Sequence, residues 1–237
     1  ANYYKVFGDS SALELAIRTF NWLDKNAYDP EYGGYYMYMD NKGQALKKGF
    51  MGEPPKDQNS TIHIMEAFTE LYEVWPDKKL GNRLQELLVL VRDTIRTDQQ
   101  YLKLFFSRDW EPVSYADSAS GKAKYFEYDH VSFGHDIETA YLMYEAAQIL
   151  DYELLKTMKA GKALVDHGLK HGWDKQNGGV VDAGFYPSEQ GPIEIVLSTK
   201  TWWSQAETLN TLLMMAEHYP DDAMNYYKHA AEEWHYI

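Results

Sequence analysis

Leu13, Ala16, Ile17, Phe20 and Leu23 recur on one face of a 3.6-residue period, which predicts an amphipathic helix from Ser11 to about Asn26. Asp29-Pro30 stops it, and Gly33-Gly34 precedes a tyrosine-rich run, YYMYMD (35–40), that reads as a short strand. A polar loop carrying Pro54-Pro55 leads to a helix from about Ser60 to Val74, ended by Pro76. Asp77 then caps a helix reaching about Arg96 on the stripe Leu84, Leu87, Leu88, Val91 and Ile95. YLKLFFS (101–107) followed by EPVSY predicts a hairpin, and a mobile loop is expected at 117–124. Further helices are expected at about His135–Leu150, Glu153–Lys170, Trp202–His218 and Asp221–Tyr236, with a second Gly-Gly hairpin in GWDKQNGGVVDAG. Helices dominate, small β-hairpins cap one end, and no linker divides the chain. The expectation is one domain over residues 1–237.

One pattern occurs three times. HIMEAFTELYE (63–73), HDIETAYLMYE (135–145) and SQAETLNTLLM (204–214) align on Glu66, Glu138 and Glu207, 72 and 69 residues apart. Such a period fits two helices with their connections, so each unit reads as a helical hairpin repeated around a centre. Asp29-x-x-x-Gly33-Gly34 matches Asp174-x-x-x-Gly178-Gly179, an independent sign of repetition.

Composition narrows the function classes. A chain of 237 residues suffices for a sizeable core. A net charge of -13, with no basic cluster longer than Lys47-Lys48, argues against a nucleic-acid partner. The absence of cysteine excludes disulfides, thiolate catalysis and cysteine zinc sites. No apolar run has the length to cross a bilayer and no signal peptide opens the chain, so a soluble, cytoplasmic protein is expected. Twenty Tyr and seven Trp exceed ordinary usage, and sugar clefts favour such flat, amphipathic rings.

The candidate chemistry lies in the repeats. His63-Glu66 and His135-Glu138 place an imidazole and a carboxylate on one helix face. A carboxylate on one ring nitrogen fixes the tautomer and leaves the other nitrogen as a base, which suits proton abstraction beside a carbonyl. The plainer alternative is a pair of helix-start histidines in a polar interface. Paired metals in four-helix bundles use glutamate before histidine, the reverse of this order, so no metal is expected. Asn59, four residues before His63, could bind a hydroxyl or simply cap its helix. Trp203, four before Glu207, is the expected stacking platform, while Trp202 is expected to pack between helices. Lys200 could neutralise an oxyanion or be a solvated cap. Asp109, Glu127, Asp136 and Asp174 are placed on loops where a glycosidase acid pair could sit, without spacing that selects two.

Asn59-x-x-x-His63-x-x-Glu66-Ala67, LFFSRDW (104–110), VSFGHDIETAYL (131–142) and KTWWSQAETL (200–209) together resemble the N-acylglucosamine 2-epimerase superfamily, most of all its cellobiose 2-epimerase branch. The resemblance covers essentially the whole chain. It implies an all-α fold, an (α/α)6 barrel or toroid of helical hairpins with the active site in its mouth. It also implies isomerase chemistry without metal or redox cofactor, on a small-molecule sugar. The reaction implied is epimerisation at C2 of the reducing-end glucose of β-1,4-linked disaccharides through an enediolate. Carried over by motif, His135 is one of an acid/base pair oriented by Glu138, and His63 assists near the sugar oxygens. Asn59 binds a hydroxyl and Trp203 stacks on sugar, with Trp202 and Glu207 beside them at the third repeat. An aldose-ketose isomerase, a glycoside hydrolase and a carbohydrate-binding remnant remain the alternatives.

The chain departs from the family pattern at its ends. The family's second acid/base histidine lies in a C-terminal Trp-Lys…Tyr-His…Arg segment, and Trp234-His235-Tyr236-Ile237 does not supply it. An N-terminal arginine and tyrosine also lack counterparts. The expectation is therefore an incomplete barrel lacking N- and C-terminal helices, inactive or severely weakened by itself, and monomeric or homodimeric.

Overall fold

The computed structural model describes residues 1–115, 126–188 and 191–237. Its elements are α1 (Asn2–Phe7), α2 (Ser10–Asn26), β1 (Lys56–Asp57), α3 (Gln58–Val74), α4 (Lys78–Leu90), β2 (Phe105–Phe106) and β3 (Val131–Ser132). They continue with α5 (Phe133–Leu150), α6 (Leu154–Gly172), β4 (Ala183–Phe185), β5 (Glu194–Leu197), α7 (Trp202–His218) and α8 (Tyr226–Tyr236). The described residues bear out a mostly helical protein with a few short strands. Each of the three repeated motifs lies in the first helix of a pair, α3–α4, α5–α6 and α7–α8. No helix among the described residues is long and apolar enough to cross a membrane.

These residues form two compact units: Ala1–Ile95 with Leu104–Val113 and Glu145–Leu154, and Arg96–Lys103 with Ser114–Tyr144 and Leu155–Ile237. In the first, Asp57 and Asp77 cap α3 and α4 by accepting from Ser60 N, and from Lys79 N and Leu80 N, which satisfies first-turn donors. Ile62, Met65, Phe68 and Leu71 of α3 are buried, as are Leu84, Leu87 and Leu88 of α4. The stripe expected to reach Arg96 ends at Ile95, its last five residues winding as a π-helical turn. Buried Arg92 lies in that turn, and its guanidinium pairs with Asp93 and Glu153 at 2.7 and 2.6 Å. The second unit packs α5 against α6, where Gly161 and Gly168 leave room for Ala140 and Ile137. Thr211 of α7 bonds the Ile137 carbonyl. Phe133, Ile137, Val165, Leu169, Leu212 and Tyr226 share its core.

Strands are shorter and pair differently than the sequence predicts. YYMYMD contributes only isolated bridges, Tyr28 to Tyr35 and Met39 to Ala45. Phe105–Phe106 of the expected local hairpin touches Pro112 at one bridge, and its ladder runs instead to Lys56–Asp57. β3 pairs with β4, and β4 with β5, all antiparallel. The last helix begins at Tyr226 rather than near Asp221, because 219–225 form turns and left-handed Asn225 caps it by accepting from Lys228 N. The loop expected at 117–124 lies outside the described residues.

The matching Asp-Gly-Gly segments are one structure built twice. Gly33 N donates to Asp29 O and Asp29 N to Gly34 O, both at 2.9 Å, and Gly178 and Asp174 N repeat these bonds at the same distance. All four glycines have φ between 67° and 80°, a region costly for other residues. Bridges Tyr28↔Tyr35 and Trp173↔Val180 close the two turns, and Arg96↔Leu102 closes a third, shorter one that has no Gly-Gly signature.

Candidate active site

In the first unit, α3 carries Asn59, His63 and Glu66. Helical spacing puts His63 and Glu66 one turn apart, and Nδ1 lies 2.9 Å from Glu66 Oε2, as the motif predicts. The His63 side chain keeps 43% of its surface exposed. It lines a cavity of about 770 Å³ with Phe20 and Leu23 from α2, Tyr36 and Met39 from the following loop, and Ile64 and Ala67 from α3. Such a lining joins apolar surface to a few polar groups, the composition of a small-ligand site. Asn59 is exposed one turn before His63, and the capping role belongs to Asp57. Burial pushes the carboxyl of Glu145 up, and the nearby Glu70 and Glu66 add to it.

In the second unit, His135 stands in the first turn of α5. Its Nδ1 lies 2.8 Å from Ser132 Oγ, and its ring centroid is 4.6 Å from the Trp203 ring at an interplanar angle of 40°. Sequence reasoning pairs His135 with Glu138, and the Ser132 contact is an addition from the structure. The available signal was a hydroxyl residue three positions before a helix-start histidine. Glu138 is buried, and Glu207 accepts a 2.9 Å bond from Tyr141 Oη. Gly134 explains how Trp203 reaches the imidazole: a Cβ there would lie 2.5 Å from Ser204 Oγ and 3.0 Å from the Trp203 ring. Only glycine lets the two helix starts approach so closely.

Trp202 corrects an expectation. It is 80% exposed rather than packed between helices. Successive helical residues turn by about 100°, so with Trp203 facing His135 its neighbour faces water. Lys200 is neither an oxyanion group nor a solvated cap. It pairs with Asp174 at 2.8 Å and donates to the Gly178 carbonyl, locking the second Asp-Gly-Gly turn. Lys56 does the same in the first unit, 3.2 Å from Asp29 and 2.8 Å from Gly33 O.

The four acids considered for hydrolysis fare no better as a pair. Asp109 and Glu127 are exposed, the former bonded by the Ser107 hydroxyl, and Asp174 is held by Lys200 well below the usual carboxylate range. Asp136 lies inside α5 rather than on a loop, and burial pushes its carboxyl well above the usual range. It accepts Leu102 N at 2.9 Å, just as Gln205, at the same repeat position, accepts Val180 N. Both fasten the returning residue of a turn. In the same unit burial lowers the His167 imidazole to about 4 while its Nε2 bonds Tyr186 Oη at 2.8 Å, a neutral core histidine.

Each unit is thus built of helical hairpins, one with a histidine–glutamate pair on α3 and the other with an imidazole beside a serine and an indole at the starts of α5 and α7. The sequence profile of N-acylglucosamine 2-epimerase (GlcNAc 2-epimerase) matches residues 42–237, and the chain belongs to that family. It is 32% identical to a cellobiose 2-epimerase of Ruminococcus albus over 227 residues, covering 94% of this chain and 52% of the relative. It is 26% identical to the Bacteroides fragilis cellobiose 2-epimerase over 243 residues, covering 100% and 56%. The solved cellobiose 2-epimerase of Bacillus thermoamylovorans shares its fold with a TM-score of 0.83 at 23% identity, over 99% of this chain and 56% of that one. The expected (α/α)6 class is thereby supported, and the chain spans about half the length of the relatives it matches.

Proposed function

We propose that this chain carries part of the active site of a sugar epimerase acting at C2 of the reducing-end glucose of a β-1,4-linked, cellobiose-like disaccharide. The observation that carries the reading is the His135 imidazole, with Nδ1 2.8 Å from the Ser132 hydroxyl and the tilted Trp203 ring beside it. The names of the relatives supply the reaction class.

In the ring-opened sugar, Nε2 of His135 takes the proton from C2 as the C2–H electrons form the enediolate with C1. Return of a proton to the opposite face of C2 gives the epimer, which requires a second acid across the sugar. His63, with its Nδ1 fixed by Glu66, serves the substrate oxygens, Asn59 binds a hydroxyl and Glu138 helps to orient His135. Trp203 stacks on the sugar at the third repeat, with Glu207 beside it. General acid–base catalysis of this kind supplies on the order of 10²–10⁴-fold in rate.

His135→Ala in the full-length protein is expected to abolish solvent deuterium incorporation at C2, read by NMR of recovered sugar. Retained exchange removes His135 from the acid/base role. A ketose product in place of the epimeric aldose replaces the reading with aldose-ketose isomerisation.

A further inference from the structure

We infer that Ser132 is the positioning residue that sets the tautomer of His135, an inference that rests on His135 acting as the acid/base. The two histidines of the repeat have different Nδ1 partners. His63 meets a carboxylate, Glu66, at 2.9 Å, whereas His135 meets a hydroxyl, Ser132, at 2.8 Å.

The hydroxyl is rigidly mounted. Ser132 is 8% exposed and sits in β3, with its backbone opposite Ala183 of β4. The three-residue step from strand into helix brings its Oγ to the imidazole edge, while the Trp203 ring packs against the imidazole at a tilt of 40°. Gly134, between the two, keeps that indole in contact. Within Ser132-Phe133-Gly134-His135, the serine anchors, the phenylalanine fills the core, the glycine gives clearance and the histidine presents its imidazole.

A hydroxyl anchor suits a group that both takes and gives a proton. In the inferred tautomer of neutral His135, Nδ1–H donates to Ser132 Oγ, and Nε2 presents its lone pair. After Nε2 takes the C2 proton the imidazolium keeps the same Nδ1–H donation, and release from Nε2 restores the start. The anchor does not rearrange between the two states. Without an acceptor at Nδ1, neutral imidazole in water favours the Nε2–H form, in which Nε2 cannot act as a base.

The test is the tautomer itself, read by long-range ¹⁵N–¹H correlation of ¹⁵N-histidine-labelled full-length protein, with His135 assigned from His135→Gln. The wild type is expected to show Nδ1 protonated and Nε2 bare above the imidazole pKa. Ser132→Ala is expected to move His135 toward the Nε2–H form, and Ser132→Thr, which keeps the hydroxyl, to restore it. An unchanged His135 signal in Ser132→Ala overturns the inference. In turnover, Ser132→Ala is expected to lower kcat by on the order of tenfold with little change in KM, with rescue by threonine. If His135→Ala retains exchange at C2 while Ser132→Ala still shifts the tautomer, the catalytic reading fails and the anchoring stands.

Discussion

Gly134→Ala isolates the contact on which the second half of the site depends. The added methyl would lie 2.5 Å from Ser204 Oγ, 2.8 Å from Ser204 Cβ and 3.0 Å from the far edge of the Trp203 ring, and the two serine atoms belong to a short side chain that cannot swing clear. Alanine gains at most about 1 kcal/mol over glycine as a helix former, less so in a first turn. Overpacking of this kind costs about 1–3 kcal/mol, so a net loss of about 1–2 kcal/mol is expected. Ser204→Gly removes the two closest atoms and by itself costs about 0.5 kcal/mol in helix propensity. The double variant should therefore recover on the order of 1 kcal/mol relative to the sum of the singles. Urea denaturation followed by tryptophan fluorescence measures all four proteins, and the ring contact gives the same series a local readout. A Gly134→Ala variant as stable as wild type, or a double variant that is strictly additive, refutes the close approach of the α5 and α7 starts.

Two further outcomes follow from buried charge. Lys56→Met leaves Asp29, itself fully buried, with Arg108 and Tyr36 but without its 3.2 Å ammonium partner. A loss of about 3 kcal/mol is expected in urea unfolding, and a loss below about 1 kcal/mol would exclude a structural role for the pair. Glu233 is fully buried, and burial raises its carboxyl to about 7. Its folded form holds the proton more tightly than the unfolded chain, so its contribution is present below about pH 4.5 and is lost as pH rises through 7. Glu233→Gln should gain stability relative to wild type between pH 5 and pH 8, by at most about 3 kcal/mol. An equal difference at the two pH values sinks that assignment.

Helices were legible because their information is local. The α2, α3 and α4 stripes, the aspartate cap at Asp77 and the start of α7 at Trp202 all follow from period and capping chemistry. Strands of two to four residues are too short for a period, and β1 is a Lys-Asp pair whose partner lies about fifty residues away. The same limit hid the turn at 97–101, which has Gln100 at φ 69° in place of the Gly-Gly signature and whose returning Leu102 N donates to Asp136. At the site, the histidine–glutamate spacing exposed His63 and its partner directly. Ser132 escaped because a serine before a helix reads as a cap, and only the fold shows its hydroxyl turned to an imidazole. Trp202 and Trp203 show the residual ambiguity of adjacent rings. Their spacing says that one faces inward, and Trp203 is that one, but Trp202 is in water rather than between helices.

The three closed turns carry a consequence for how such a chain can be divided. In each, the side chain that ties the knot belongs to a later stretch of sequence: Lys56 for Gly33, Asp136 for Leu102, Lys200 and Gln205 for Gly178 and Val180. A boundary drawn after Gly172, where one helix pair ends, would strand the loop behind it with its carbonyl and amide untied. Stable pieces must instead be cut after the first turns of the next pair, so the natural building block is staggered by about thirty to forty residues from the one that helix boundaries suggest.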